Sequence, residues 1–411
     1  SEMELATGCT EPAAIALTAA YAGEKLREAG DTIERVTVLA SVNMIKNAMA
    51  AGIPGTNYTG IEYAAVIGAL GGASAEQLQV ISHADKAAYP VGEALVKAGK
   101  VTVDVAPVPQ KLYIDVVVSG KTHVAHAIIA NLHTNLVLLE LDGNILVEKD
   151  AAEGSGGSGI SPDEISAYLS VAKIYHFIDK ELDPMKDPID IIRQSIAVNT
   201  AISEAGLAEE YGLHIGRTLE KNCKEGTRMR DMVTNAMIVT TAGADARMAG
   251  APYSVVANSG SGNQGITATM PVVATAKWLD IGEEKMLRAV TLSNLMTIYI
   301  KSRFGRLSAL CGATVASTGA ACGITYLLGG DAEAVSRAVH NMMGNVTGML
   351  CDGAKADCAL KISTCVNAAV QAALMAIDGV RVQNTDGIVE TDVERTIVNF
   401  ATLGNEGSSA M

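Results

Sequence analysis

Two long stretches of the chain carry no charged side chain, residues 248 to 276 and 307 to 330. Either is long enough to cross a bilayer, yet both are studded with Gly, Ser, Thr and Asn rather than being continuously aliphatic. With one Trp and three Phe the sequence also lacks the aromatic belts of a membrane protein. Both stretches are therefore read as central helices, covered on all sides by neighbours. Aromatic residues make up 4% of the chain and apolar residues 49%, so the core has to be packed from Ala, Val, Ile, Leu and Met. Abundant Gly and Ala permit the tight helix contacts this requires.

The pattern changes near residue 150. Before it, IERVTVLASV, KVTVDVA, KLYIDVVVSG, THVAHAIIA and NLVLLELDGNILVEK show alternating β-branched runs, the last two strands joined by a turn at Asp142-Gly143-Asn144. Helical patterning interrupts them between residues 61 and 97. Strands clustered ahead of helices predict an α+β fold rather than a doubly wound sheet. The expected organisation is a mixed α/β domain over residues 1–150 with an antiparallel-type sheet, a Gly/Ser-rich connector at 151–164, and a mainly helical domain over 165–411.

A formal charge of -14 argues against nucleic acid or anionic membrane as partners. Seven cysteines, an odd number, and the absence of a signal-peptide pattern at the start argue for a reducing, cytoplasmic setting. A homo-oligomer is compatible with the sequence.

Three of those cysteines, Cys311, Cys351 and Cys358, stand 40 and then 7 residues apart. On an unbroken helix, residues seven apart lie about 10 Å apart along the axis, too far to grip one compact centre. Asp352-Gly353 supplies a break, so Cys351 and Cys358 can converge on Cys311. Three thiolates form a soft donor set that suits iron-sulfur clusters, zinc or copper(I), and they leave one metal position open for chemistry. The competing reading is three small buried hydrophobes. Cys322 lies eleven residues after Cys311 on a continuing helical pattern, about 16 Å along the axis. It reads as buried packing, as do Cys365 and Cys223.

Cys9 precedes a helical pattern of about five turns that Pro12 opens and Thr10 or Glu11 caps. A helix N-terminus lowers a thiol's pKa, so a thiolate base or nucleophile is expected there. Ser259-Gly260-Ser261-Gly262-Asn263-Gln264-Gly265 also leads into a helix and offers backbone N–H donors to a carboxylate or phosphate. The loop is similar to the substrate-carboxylate loop of pyridoxal-phosphate dehydratases. Such an enzyme needs a Schiff-base lysine, and none of Lys46, Lys301 or Lys355 lies in a resembling context. Arg247 is suited to a bidentate carboxylate contact or to a surface ion pair. His123 and His126, three apart on a strand, do not form a metal pair.

Read in order, CTEP at 9–12, SVNMIKNAM at 41–49, HTN at 133–135, GLHIGRTLEK at 212–221, DARM at 245–248, NSGSGNQGITATMPVV at 258–273, LSALCGATVAS and GMLCDGAKADCALKIST form a specific set. The set closely resembles the bacterial and archaeal L-cysteine desulfidase family, related to the alpha chain of the iron-sulfur L-serine dehydratases, over essentially the whole chain. The resemblance implies a 4Fe-4S cluster on Cys311, Cys351 and Cys358 in the helical domain, and a base at Cys9. It implies substrate contacts at Asn43, Lys46, His133, Thr134, Asn135 and the Ser259 to Gln264 loop, with Asn47 on the same footing. Family members usually carry a further helical segment ahead of the CTEP turn. The implied reaction is α,β-elimination of L-cysteine to hydrogen sulfide, ammonia and pyruvate. L-serine dehydration by the same machinery, or a non-catalytic cluster or amino-acid sensor, are the alternatives.

Overall fold

Alternating apolar residues build a sheet from β2 (Ile33–Ala40), β3 (Val101–Val105), β4 (Tyr113–Gly120), β5 (Val124–Ala130), β6 (Leu136–Leu141) and β7 (Asn144–Glu148). This computed structural model describes residues 2–150, 168–304 and 308–407, so the predicted connector at 151–164 lies outside the described residues. The strand order is β3-β2-β4-β5-β6-β7, with β3 parallel to β2 and the other neighbours antiparallel. The sheet is thus mixed, with one parallel pair in an otherwise antiparallel arrangement. The turn between β6 and β7 uses Asp142 and Gly143 at φ 51° and 81°. His126 Nε2 lies 2.9 Å from Asp115 Oδ1, and His123 Nδ1 lies 2.6 Å from Asp142 Oδ2, so each imidazole is engaged by a carboxylate.

One face of the sheet presents Ile114, Val116 and Val118 beside Ala125, Ala127 and Ile129, all buried. Against it lie α1 (Thr10–Glu28) and α3 (Ile61–Gly71), with α2 (Val42–Ala48) and α4 (Ala88–Lys97) alongside. Together they enclose the first of two large cores. α1 and α3 cross at glycines. A Cβ on Gly23 would fall 2.2 Å from the Ala69 carbonyl oxygen, and one on Gly68 would fall 2.2 Å from that of Ala16.

The second core belongs to the helices that follow. They are α5 (Val171–His176), α6 (Asp190–Ala208), α7 (Ile215–Lys224), α8 (Met232–Met248), α9 (Gly262–Trp278), α10 (Glu283–Ser302), α11 (Gly312–Leu327), α12 (Ala332–Val346), α13 (Cys358–Ile377) and α14 (Val393–Thr402). The second uncharged stretch contains α11, in which every residue from 313 to 327 is buried. The first differs from a single helix. It holds the end of α8, the strand β8 (Ser254–Asn258) and then α9, because the Ser259-Gly260 turn, at φ 50° and 81°, breaks the chain between strand and helix. α9 is buried from Gln264 to Ala276 and ends at the chain's only Trp, which is exposed. Among the described residues, α13 alone is long and apolar enough to cross a membrane, and its Ile362, Cys365, Val366 and Val370 sit in the helical core.

The α+β architecture is therefore present, with a thread between its halves. β1 (Met3–Thr7) pairs antiparallel with β8, Met3 opposite Asn258 and Thr7 opposite Ser254. The first strand thus joins the helical part, and α1 then returns the chain to the sheet. Because a Cβ at position 68 meets backbone rather than a movable side chain, Gly68→Ala should destabilise the protein by about 1–3 kcal/mol through forced separation of α1 and α3. A lower midpoint in chemical denaturation checks this.

Candidate active site

Four helices begin at one cleft. Cys9 is the residue before α1, and Cys311 the residue before α11, while Cys358 opens α13. Ser261 caps α9, its side chain accepting from the Gln264 N–H. All four residues line the same cavity, of about 110 Å³, with Glu11, Asn47, His133, Arg247 and Lys301. At about 10–15 Å³ per water, that space suits a solute of a few heavy atoms. The amide donors and positive dipole ends of four helix starts favour negative charge there.

Cys311 and Cys351 are set side by side by short antiparallel pairing. Cys311 N–H donates to Met349 O at 3.0 Å and Cys351 N–H to Ala309 O at 2.8 Å. Between Cys351 and Cys358 the chain is not helical, and Gly353 turns it at φ 109°. Cys358 Sγ ends 3.6 Å from the Gly353 carbonyl oxygen. Burial pushes the Cys311 thiol up to about 12, and the nearby Cys351 and Cys358 add to the shift. Cys322 and Cys365 are fully buried in helices, Cys365 Sγ being 3.4 Å from Met349 Sδ, and neither lines the cleft. Cys223 is half-buried on α7, away from the cleft.

Of the residues singled out from sequence, Cys9, His133, Gly260, Ser261, Asn263, Gln264 and the three cysteines of the proposed ligand set line the cavity; Asn43, Lys46, Thr134, Asn135, Ser259 and Gly262 do not. Their positions explain why. Asn43 is half-buried on α2. Thr134 is exposed in the β5–β6 turn, which Asn135 closes by donating from Nδ2 to Ala130 O at 3.0 Å. The Ser259 side chain points back to Asn258 Oδ1, 2.8 Å away. Gly262 makes room for Arg247, since a Cβ there would fall 2.2 Å from Arg247 Nε. Lys46 holds the cysteine loop instead of facing the cavity, its Nζ donating to Cys351 O at 3.2 Å.

The Cys9 environment corrects the expectation of a thiolate. Burial, then the Glu11 carboxylate, push this thiol well above its ordinary range, against the opposing pull of Arg247. Cys9 Sγ donates to Glu11 Oε2 at 3.2 Å, so the helix start holds a thiol bonded to a carboxylate. Burial raises Glu11, but His133 beside it and hydrogen bonds from Cys9 and Thr10 outweigh this and hold Glu11 below the usual carboxylate range.

Three cleft-lining residues carry a polar atom with no hydrogen-bond partner in the protein: Arg247 Nε, Asn47 Oδ1 and Gln264 Oε1 are buried and unbonded. Arg247 is otherwise fixed, Nη1 to Asn263 Oδ1 at 3.1 Å and Nη2 to Gly8 O at 3.0 Å. The residues around the cleft therefore leave one cationic donor and two amide acceptors unsatisfied by the protein itself.

Residues 144–410 match the serine dehydratase alpha chain. The chain belongs to the serine dehydratase alpha chain family. Among its relatives are UPF0597 proteins of Oleidesulfovibrio alaskensis, 44% identical over 99% of this chain and 92% of the relative, and of Shewanella pealeana, 43% identical over 97% and 92%. A UPF0597 protein of Chromobacterium violaceum is 40% identical over 99% and 92%. Membership of the serine dehydratase alpha chain family makes this a lyase-type enzyme, in a family that uses iron-sulfur clusters.

Within this family member, two cleft residues carried other readings in the sequence. Glu11 was read as a helix cap, the commonest use of an acidic residue in a first turn. Lys301, considered there as a Schiff-base lysine, lies buried in the cleft at the end of α10, its Nζ 3.4 Å from Ser308 Oγ.

At Gly353 the cysteine loop has no room for a side chain. A Cβ there would fall 2.1 Å from the Lys46 carbonyl oxygen, and φ 109° disfavours any L side chain. Gly353→Ala should therefore lift the loop from α2 at a cost of about 1–3 kcal/mol. Faster tryptic cleavage after Lys355, compared with the parent protein, is the expected reading.

Proposed function

We propose that the chain catalyses α,β-elimination of L-cysteine to hydrogen sulfide, ammonia and pyruvate, with a 4Fe-4S cluster on Cys311, Cys351 and Cys358. The observation that carries this reading is the pairing, in one cleft, of three cysteines with unbonded polar atoms complementary to an α-amino acid. Arg247 Nε matches a carboxylate, while Asn47 Oδ1 and Gln264 Oε1 match an ammonium group.

The donor set fits the cluster. It consists of three soft thiols, brought in by two loop-to-helix junctions and one paired segment. Among the described residues no group of three His, Cys, Asp or Glu is arranged to hold a single metal ion. When bound, a cluster with three protein ligands supplies a Lewis-acidic iron for the leaving group.

The protein's own residues do the rest. Arg247 and the Gly260-Ser261 turn at the start of α9 orient the carboxylate. Asn47 and Gln264 hold the amino group, which fixes the direction of the α-hydrogen. Cys9, at the start of α1, takes that proton as its own thiol proton moves on. The enamine released then tautomerises and hydrolyses in water. Seven free cysteines without a disulfide support a reducing setting, for which we propose the cytoplasm.

L-serine is the second reading, favoured by the family to which the chain belongs. The two substrates differ in the atom expelled, and sulfur is the softer ligand for iron. After anaerobic reconstitution, sulfide and pyruvate release from L-cysteine is expected to exceed pyruvate release from L-serine; the reverse order makes the enzyme a serine dehydratase. Neither product from either amino acid would overturn elimination altogether.

Two further outcomes are expected. Cys311→Ser, Cys351→Ser and Cys358→Ser should each lose iron and acid-labile sulfide, while Cys322→Ser and Cys365→Ser keep both; a full cluster in any of the first three removes that residue from the ligand set. Arg247→Lys should keep the cluster but raise KM for L-cysteine about 10-fold or more, through loss of charge-assisted hydrogen bonding.

A further inference from the structure

A neutral thiol is a poor base, and Cys9 sits in the cleft as a thiol bonded to Glu11. Removing the α-proton of an amino acid therefore requires somewhere for the thiol's own proton to go. Glu11 is buried, lines the same cavity, and stands in the first turn of α1 where the helix dipole favours its anion. Its two oxygens are used unequally. Oε1 accepts from Asn47 Nδ2 at 3.0 Å, and Oε2 accepts from both Cys9 Sγ at 3.2 Å and Thr10 Oγ1 at 3.0 Å.

The Thr10 hydroxyl is the informative member of this set. It has one proton and two acceptors within reach, Glu11 Oε2 at 3.0 Å and Gly260 O at 3.1 Å. While Oε2 is ionised, the hydroxyl can serve the carboxylate. Once Oε2 carries a proton, the hydroxyl has the Gly260 carbonyl to turn to, so protonation of Oε2 leaves no donor stranded. A carboxylate acting only as a helix cap has no need of such an exchange.

Resting on the elimination reading above, we infer that Glu11 is the proton acceptor behind Cys9, and that the two side chains act as one base. The Cα–H bond breaks and its proton passes to Cys9 Sγ as the Sγ–H proton passes to Glu11 Oε2. The electron pair left at Cα forms the Cα–Cβ double bond as the Cβ–S bond breaks, and its electrons leave with sulfur. Returned through Cys9 to the departing sulfide, the proton on Glu11 restores both side chains and leaves hydrogen sulfide and 2-aminoacrylate. No oxidant or reductant enters. Arg247 faces Cys9 and His133 faces Glu11 from the two neighbouring elements, and their charges favour the ionised partner in each case.

The test separates this role from a structural one by reading two quantities that should move in opposite directions. Glu11→Gln removes the acceptor and its negative charge while keeping the shape of the side chain. In the cluster-loaded protein, elimination of L-cysteine should fall about 100-fold or more, with iron content unchanged. Without substrate, alkylation of Cys9 by iodoacetamide, followed on the Cys9 peptide by mass spectrometry, should become several-fold faster, because the thiol has lost the group that holds its proton. Glu11→Asp, which keeps the charge, should alkylate slowly like the parent. Parent-like elimination in Glu11→Gln, or a Cys9 that alkylates no faster than in the parent, overturns the inference. Were the parent enzyme to release product from neither amino acid, the elimination reading would fall instead, and the alkylation comparison would still decide whether Glu11 holds the Cys9 proton.

Discussion

Everything in the cleft depends on the seam between two separately packed cores. One core lies between the sheet and α1 with α3, the other inside the helical part. The pairing of β1 with β8 ties them by backbone hydrogen bonds, which no single side-chain change can remove. Three contacts extend the tie: Thr10 Oγ1 to Gly260 O, Arg247 Nη2 to Gly8 O, and Lys46 Nζ to Cys351 O. Cys9, Asn47 and His133 come from the first side of this seam and Arg247, Gln264 and the other cleft cysteines from the second. Neither side holds a complete site.

Close approach at the seam has a compositional origin. The two sides approach this closely only where side chains are small, and several of the positions concerned are Gly. A Cβ on Gly52 would fall 2.8 Å from the Ala249 carbonyl carbon, and one on Gly250 would fall 2.9 Å from Ile53 O. The scarcity of aromatic residues is the same fact seen across the whole chain. A core of Ala, Gly and short aliphatic side chains brings helices together at the distances this cleft requires.

Much of this was legible in the sequence, and the limits have physical causes. Lack of charge announced α11 as a helix buried on all sides, and Asp352-Gly353 announced the turn between two cysteines. Strand alternation gave the sheet, because period-two patterning survives wherever one face is buried. The β1–β8 pairing was not legible, since five residues reading MELAT carry no pattern that names a partner 250 positions away. Lys46 looked like a ligand-binding cation and serves the backbone of the cysteine loop. Glu11 looked like a cap because local rules see the dipole of its own helix. They do not see Asn47 arriving from α2 or the thiol beneath it. Burial also reversed the expected effect of the helix start on Cys9, a balance that depends on tertiary surroundings.

α9 has a consequence for how the molecule can be observed. Its first turn lines the cleft and its last residue is Trp278, the only Trp in the chain. Seventeen residues of helix put the two ends about 24 Å apart. The indole is 44% exposed at the outer end. Tryptophan emission is thus a probe of the fold's periphery, separate from absorbance changes arising at the cysteines. Loss of the helical core and events in the cleft therefore report on two distinct optical channels of the unmodified protein.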